Sequence, residues 1–214
     1  MKEEGLYDVT GLIEAQYESG SDRQVLKNKL GIRSKEEMER VEAEELERTV
    51  DLVIRIYDEE HRFTAEDICN IHKIWLGDIY EWAGRYRSVN LSKPNIFFAA
   101  SDVIPLLMSE FERDVLPRHT PCKDFDNERL VMALAEVHVE LALIHPFREG
   151  NGRIARILST LMALQAGLPI VDFSSIAGDK KEDYLAAVRA GLDRNYRPME
   201  RIFIDIIRET TSRL

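Results

Sequence analysis

The chain has 214 residues, 44% of them hydrophobic and 32% charged, with 29 Lys+Arg against 39 Asp+Glu for a net charge of −10. That length fits one domain with a buried core, and the composition excludes a disordered chain. The acidic balance weighs against nucleic acid or a membrane as partner, since both are polyanions. Cys69 and Cys122 form no CxxC pair, which fits a reducing compartment and argues against a disulfide scaffold or structural zinc. Met1-Lys2-Glu3-Glu4-Gly5 lacks the pattern of a secretion signal, and no apolar run reaches the roughly 18 residues that span a bilayer. The expectation is a cytoplasmic protein.

Residues 1–33 read as an N-terminal arm, because Gly5, Gly11, Gly20 and Gly31 interrupt any period. The remaining 34–214 read as one domain. Ser34-Lys35-Glu36-Glu37 is a capping-box pattern that opens a helix running to about residue 60. The acidic run from Glu36 to Glu47 reads as its solvated face. Thr64 starts a second helix, which Gly84 ends, with Ile68, Ile71, Trp75, Ile79 and Trp82 on its apolar face. From Arg85 to Ala99 the period changes, and Lys93-Pro94-Asn95 marks the turn of a β-hairpin. Ser101 caps a third helix that ends near Pro117. Asp124 to Ile144 is a fourth, apolar enough to be central. Helices over Asn151–Ala166, Lys180–Leu192 and Pro198–Arg213 complete an all-α domain with one hairpin.

The loop between the fourth and fifth helices carries the chemistry. It reads His145-Pro146-Phe147-Arg148-Glu149-Gly150-Asn151-Gly152-Arg153-Ile154-Ala155-Arg156. Gly150, Asn151 and Gly152 open a helix, where unpaired N–H groups and the positive dipole end attract an anion and glycine lets it approach the backbone. Arg153 and Arg156 share a face there and suit a di- or triphosphate. A carboxylate beside phosphates calls for a cation between them, so Glu149 points to Mg²⁺. His145 can take a proton from a hydroxyl near neutral pH. Base, metal, cradle and clamps together make a phosphoryl- or nucleotidyl-transfer site. The blander readings leave His61, His72 and His119 as surface or packing residues and His138 packed within its helix. Tyr184 is suited equally to flanking a base and to the core.

This segment resembles the full signature of the Fic-domain family (filamentation induced by cAMP), HxFx(D/E)GNGRxxR, with no departure. The resemblance covers roughly residues 40–210. It implies the Fic fold, a helical bundle with a short hairpin flap. It also implies a protein adenylyltransferase that moves AMP from ATP to a Ser, Thr or Tyr hydroxyl of a target protein, with release of pyrophosphate. On that reading His145 is the base and Glu149 holds Mg²⁺. Gly150, Asn151 and Gly152 form the anion hole, with Asn151 orienting the α-phosphate. Arg153 takes the β-phosphate, Arg156 the γ-phosphate, and Tyr184 joins the nucleotide site. The flap is Asn90, Leu91, Ser92, Lys93, Pro94, Asn95, Ile96, Phe97 and Phe98, which would pair with an extended target segment by strand addition. Phe97 and Phe98 could instead serve the core.

The family also implies alternatives. Doc-like members transfer phosphate and carry Lys where this chain has Gly152; others use another nucleotide or phosphocholine as donor. A silent toxin–antitoxin module acting through a partner is a further reading. Many members are held inactive by a helix with (S/T)xxxE(G/N), whose Glu pairs with the second arginine, here Arg156. Thr10-Gly11-Leu12-Ile13-Glu14 matches the first part of that pattern, but Ala15 departs from it. The glutamate could equally come from a small antitoxin protein. Self-association as a homo-oligomer stays open.

Overall fold

The computed structural model describes residues 11–93, 96–176 and 180–212, with backbone alone at 93, 96, 97 and 175. Its helices are α1 (Lys35–Ile56), α2 (Ala65–Leu76), α3 (Ile104–Glu110), α4 (Leu116–His119), α5 (Asn127–Ile144), α6 (Asn151–Gln165), α7 (Lys181–Ala190) and α8 (Arg197–Thr211). Two-residue strands, β1 (Ser92–Lys93) and β2 (Ile96–Phe97), pair antiparallel with Ser92 opposite Phe97. Pro94 and Asn95 lie outside the described residues, as does Thr10.

Helix α5 is the axis of the bundle. Ala133, Leu134, Val137 and Val139 are fully buried, on more than one side of the helix, as its composition predicts. It packs on α6 along one side and on α7 and α8 along another. Helix α2 lies on α6, and α1 covers α2. The site segment therefore runs from the central helix to its neighbour, with α2 beneath. No described helix is long and apolar enough to cross a membrane.

The sequence boundaries shift in three places. The capping box sits at Thr64, whose side chain and that of Asp67 bond each other's backbone, whereas Ser34 only accepts from the Glu37 N–H. Helix α2 stops at Leu76 instead of reaching Gly84, and carbonyls beyond it accept from Lys29. Its backbone N–H donates to Ile79 (2.8 Å) and its ammonium to Gly77 (2.7 Å). The third helix is broken into a 3-10 turn at Ser101–Val103, α3, a π-turn at Phe111–Val115, and α4, with Pro117 in the first turn of α4. The arm is packed: Val25 and Leu26 are buried, and Tyr17 bridges to Leu26.

Candidate active site

His145 caps α5 in the left-handed conformation (φ 53°, ψ 57°) and turns the chain into the loop. Its Nδ1 lies 3.1 Å from the carbonyl of Ala142. A carbonyl only accepts, so Nδ1 carries the proton and Nε2 is the acceptor nitrogen. That tautomer is the one a general base needs. Phe98, the last flap residue, stacks on the imidazole at 3.6 Å between centroids.

The loop is braced from inside. Asn151 is buried; its Oδ1 accepts from the Phe147 N–H (2.8 Å), and its Nδ2 donates to the Phe147 carbonyl (2.7 Å). The Asn151 side chain is thus used within the loop, and what faces outward is backbone. The N–H groups of Arg153 and Ile154 turn to the Gly150 carbonyl. Asn151 and Gly152 hold the first helical positions, whose N–H groups helix geometry leaves without internal acceptors.

The two glycines differ. Gly150 has φ 83°, and a Cβ there would fall 2.4 Å from Cζ3 of Trp75, so both backbone and packing require it. Gly152 lies in the helix with no positive φ, and a Cβ there would meet only Nη2 of Arg156, at 3.9 Å. Among the described residues nothing demands glycine at 152.

Helix α2 supports the loop from below. His72 is fully buried and stacks on Phe147 at 3.9 Å. Its Nδ1 accepts from the Gly84 N–H (2.8 Å), so its Nε2–H donates to the Glu149 carbonyl (3.1 Å). Burial pushes its pKa down to about 4, which keeps the ring neutral. Arg153 lies over Trp75 at 4.5 Å, and its Nη1 bonds Oε2 of Glu42 at 2.8 Å. The Glu149 carboxylate, about half exposed, accepts from the Gly150 N–H (2.9 Å) and lies 3.3 Å from Arg153 Nη2.

Behind Arg156 is a polar cluster. The Ser159 hydroxyl donates to the Ala155 carbonyl, so His138 Nδ1–H donates to Ser159 (3.1 Å), and Nε2 accepts from the Tyr184 hydroxyl (2.9 Å). Burial, with help from Arg156, pushes His138 down to about 3. His138 is therefore a neutral packing residue, but its bonds run across to α6 and α7 and not within its own helix as the sequence reading has it, and Tyr184 has its hydroxyl tied to it. Among the described residues Arg156 has no ion-pair partner, and its Nε has no hydrogen-bond partner. Burial lowers its pKa.

Glu14 makes contacts other than the pairing with Arg156 that its near-match implies. Its carboxylate binds the N–H of Ser88 at 2.8 Å and also the Ser88 hydroxyl, and its carbonyl accepts from Arg148 (2.8 Å). Arg87, which the sequence places only in the Gly84-Arg85-Tyr86-Arg87 stretch before the hairpin, is 2% exposed. Its guanidinium donates to the carbonyls of His145 (2.7 Å), Val89 (2.8 Å) and Ala99 (2.6 Å). It thereby ties both roots of the flap to the base.

Residues 62–163 match the family model described as Fic/DOC family. This chain carries a Fic/DOC-family domain. It is 33% identical over 153 residues to protein adenylyltransferase VbhT of Bartonella schoenbuchensis, matching 68% of this chain and 30% of that protein. The chain spans 30% to 50% of the length of such curated relatives. Among solved structures it resembles the N-terminal Fic domain of a VirB-translocated Bep effector protein from Bartonella quintana with bound ADP. That match has 26% identity and a TM-score of 0.69, over 89% of this chain and 92% of the other. A Bep Fic domain from Bartonella sp. AR 15-3 shares the fold at a TM-score of 0.72 and 22% identity, over 94% of this chain and 95% of the other. The Fic fold is thus the one the resemblance implied.

Proposed function

We propose that this Fic/DOC-family chain is a protein adenylyltransferase, taking AMP from ATP to a Ser, Thr or Tyr hydroxyl of a target protein. The observation that carries the reading is Gly152, a helical glycine that the protein's own packing leaves unexplained. It is accounted for if a phosphate sits against the N–H groups of Asn151 and Gly152. His145 Nε2 takes the proton of the target hydroxyl, whose oxygen attacks the α-phosphorus. The bond from that phosphorus to the bridging oxygen breaks, and pyrophosphate leaves. Arg153 and Arg156 hold the β- and γ-phosphates. The exposed Glu149 carboxylate beside the cradle fits Mg²⁺, which binds few carboxylates along with phosphate oxygens and would neutralise charge there. The Tyr184 hydroxyl is engaged with His138, so the ring alone would meet the nucleotide.

Residues Asn90 to Phe98 would dock the target by strand addition, bringing its hydroxyl toward the imidazole that Phe98 covers. Arg156, without a carboxylate partner among the described residues, leaves room for a small antitoxin protein that supplies one. The curated relatives named protein adenylyltransferase and Gly152 itself favour AMP transfer over Doc-like phosphate transfer. The test is labelling of a cell lysate with Mg²⁺ and ATP carrying label at the α- or the γ-phosphate, with His145→Ala as control. Label on protein from α-ATP alone, lost in the variant, is the expected result. Label from γ-ATP alone would make the chain a kinase.

A further inference from the structure

Glu42 stands in the acidic run of α1, yet unlike a solvated side chain it is 5% exposed. Its partners come from three places in the chain. Oε2 accepts from Arg153 Nη1 at 2.8 Å, Oε1 accepts from the Tyr80 hydroxyl at 2.8 Å, and its backbone carbonyl accepts from Trp75 Nε1 at 2.9 Å. Burial and the nearby Glu42 carboxylate push the Tyr80 pKa upward, so that hydroxyl keeps its proton and donates.

A buried ion pair is a poor way to gain stability, because desolvating two charges costs about what their attraction returns. What this pair supplies is direction. The Trp75 ring fixes the plane of the Arg153 guanidinium, and Glu42 fixes one terminal nitrogen from the buried side. The other terminal nitrogen, Nη2, faces Glu149 at the longer 3.3 Å, at the end of the side chain that solvent reaches. A flexible arginine is thereby held in one rotamer with an outward edge available to an anion.

We infer that Glu42 is a positioning residue for nucleoside polyphosphates, acting through Arg153. The inference rests on the reading of Gly150–Arg156 as a phosphate cradle. Because Arg153 would reach the β-phosphate and no nearer group, the effect is confined to nucleotides that have one. The 214-residue chain and its variants would be titrated calorimetrically with ATP, ADP and AMP in Mg²⁺. Glu42→Ala is expected to weaken ATP and ADP about three- to tenfold, the cost of immobilising one long side chain on binding, and to leave AMP unchanged. Glu42→Gln, which keeps the volume and removes the charge, gives the same pattern if the alanine variant folds poorly. Tyr80→Phe leaves the carboxylate on Arg153 and binds nearly as the parent does. On an Arg153→Ala background, Glu42→Ala adds no further loss.

Equal weakening of all three nucleotides would mean a merely structural role and overturn the inference. Tighter ATP binding would overturn it too, by showing that Glu42 restrains Arg153. If Arg153→Ala itself leaves ATP affinity unchanged, the cradle reading fails, and that result is separate from any effect of Glu42.

Discussion

The two sides of the His145–Arg156 segment are built differently. On the helix side, side chains from distant elements lock the loop: His72 and Trp75 from α2, Glu42 from α1, and Asn151 from within. On the flap side, strands of two residues meet, and one buried guanidinium holds their roots to the His145 carbonyl. Rigid side-chain bracing suits a ligand of fixed shape, such as a triphosphate. A backbone edge on a single anchor suits an extended partner whose own backbone completes the pairing.

The largest effect should fall where the sides meet. His145→Ala is expected to lower transfer by about 10²- to 10⁴-fold, while calorimetric ATP affinity stays near that of the parent. Lost ATP binding would show that the two sides are not separable. On the flap side, Arg87→Met strands several buried carbonyls and should cost about 3 kcal/mol in urea unfolding. A loss below about 1 kcal/mol would show that Arg87 is not the anchor.

On the helix side the two glycines can be set against each other. Gly150→Ala should cost about 2 kcal/mol of stability, through its positive φ and the Trp75 ring. Gly152→Leu should leave the melting temperature nearly unchanged and weaken ATP by about tenfold or more, a fold-change of about 1.4 kcal/mol. The reverse pattern would remove the cradle.

The smallest effect comes from pH. His72 and His138 are buried with pKa values of about 4 and about 3, below the value of an unfolded chain. The unfolded state therefore binds more protons below about pH 6.5, and stability falls as pH drops from there toward the folded values. Each imidazole should cost about 1 kcal/mol between pH 7 and pH 5.5. A flat stability profile over that range would mean that neither ring is buried neutral.

The parts of the fold that local pattern controls were legible. The apolar α5, the helix start at Asn151 and the change of period before the hairpin follow from spacing and capping. The length of α2 was not legible: the carbonyls just beyond its end bond Lys29, far away in sequence. The site divides the same way. The residues of the signature segment lie consecutively and could be read from its chemistry. His72, Arg87 and Glu42 are each lone residues whose partners lie on other elements. A single His, or one Glu in an acidic run, carries no local mark of the contact it will make. Asn151 was placed correctly in the loop, but the direction of its amide was set by the Phe147 backbone.

His145 occupies a left-handed position at the end of α5, where the backbone would favour glycine or asparagine. The Phe98 stack and the Ala142 bond return part of that conformational cost, and neither is needed once the base is gone. On the proposed function, folding and chemistry therefore favour different residues at this position. On that function, one substitution here would silence transfer and leave the fold intact.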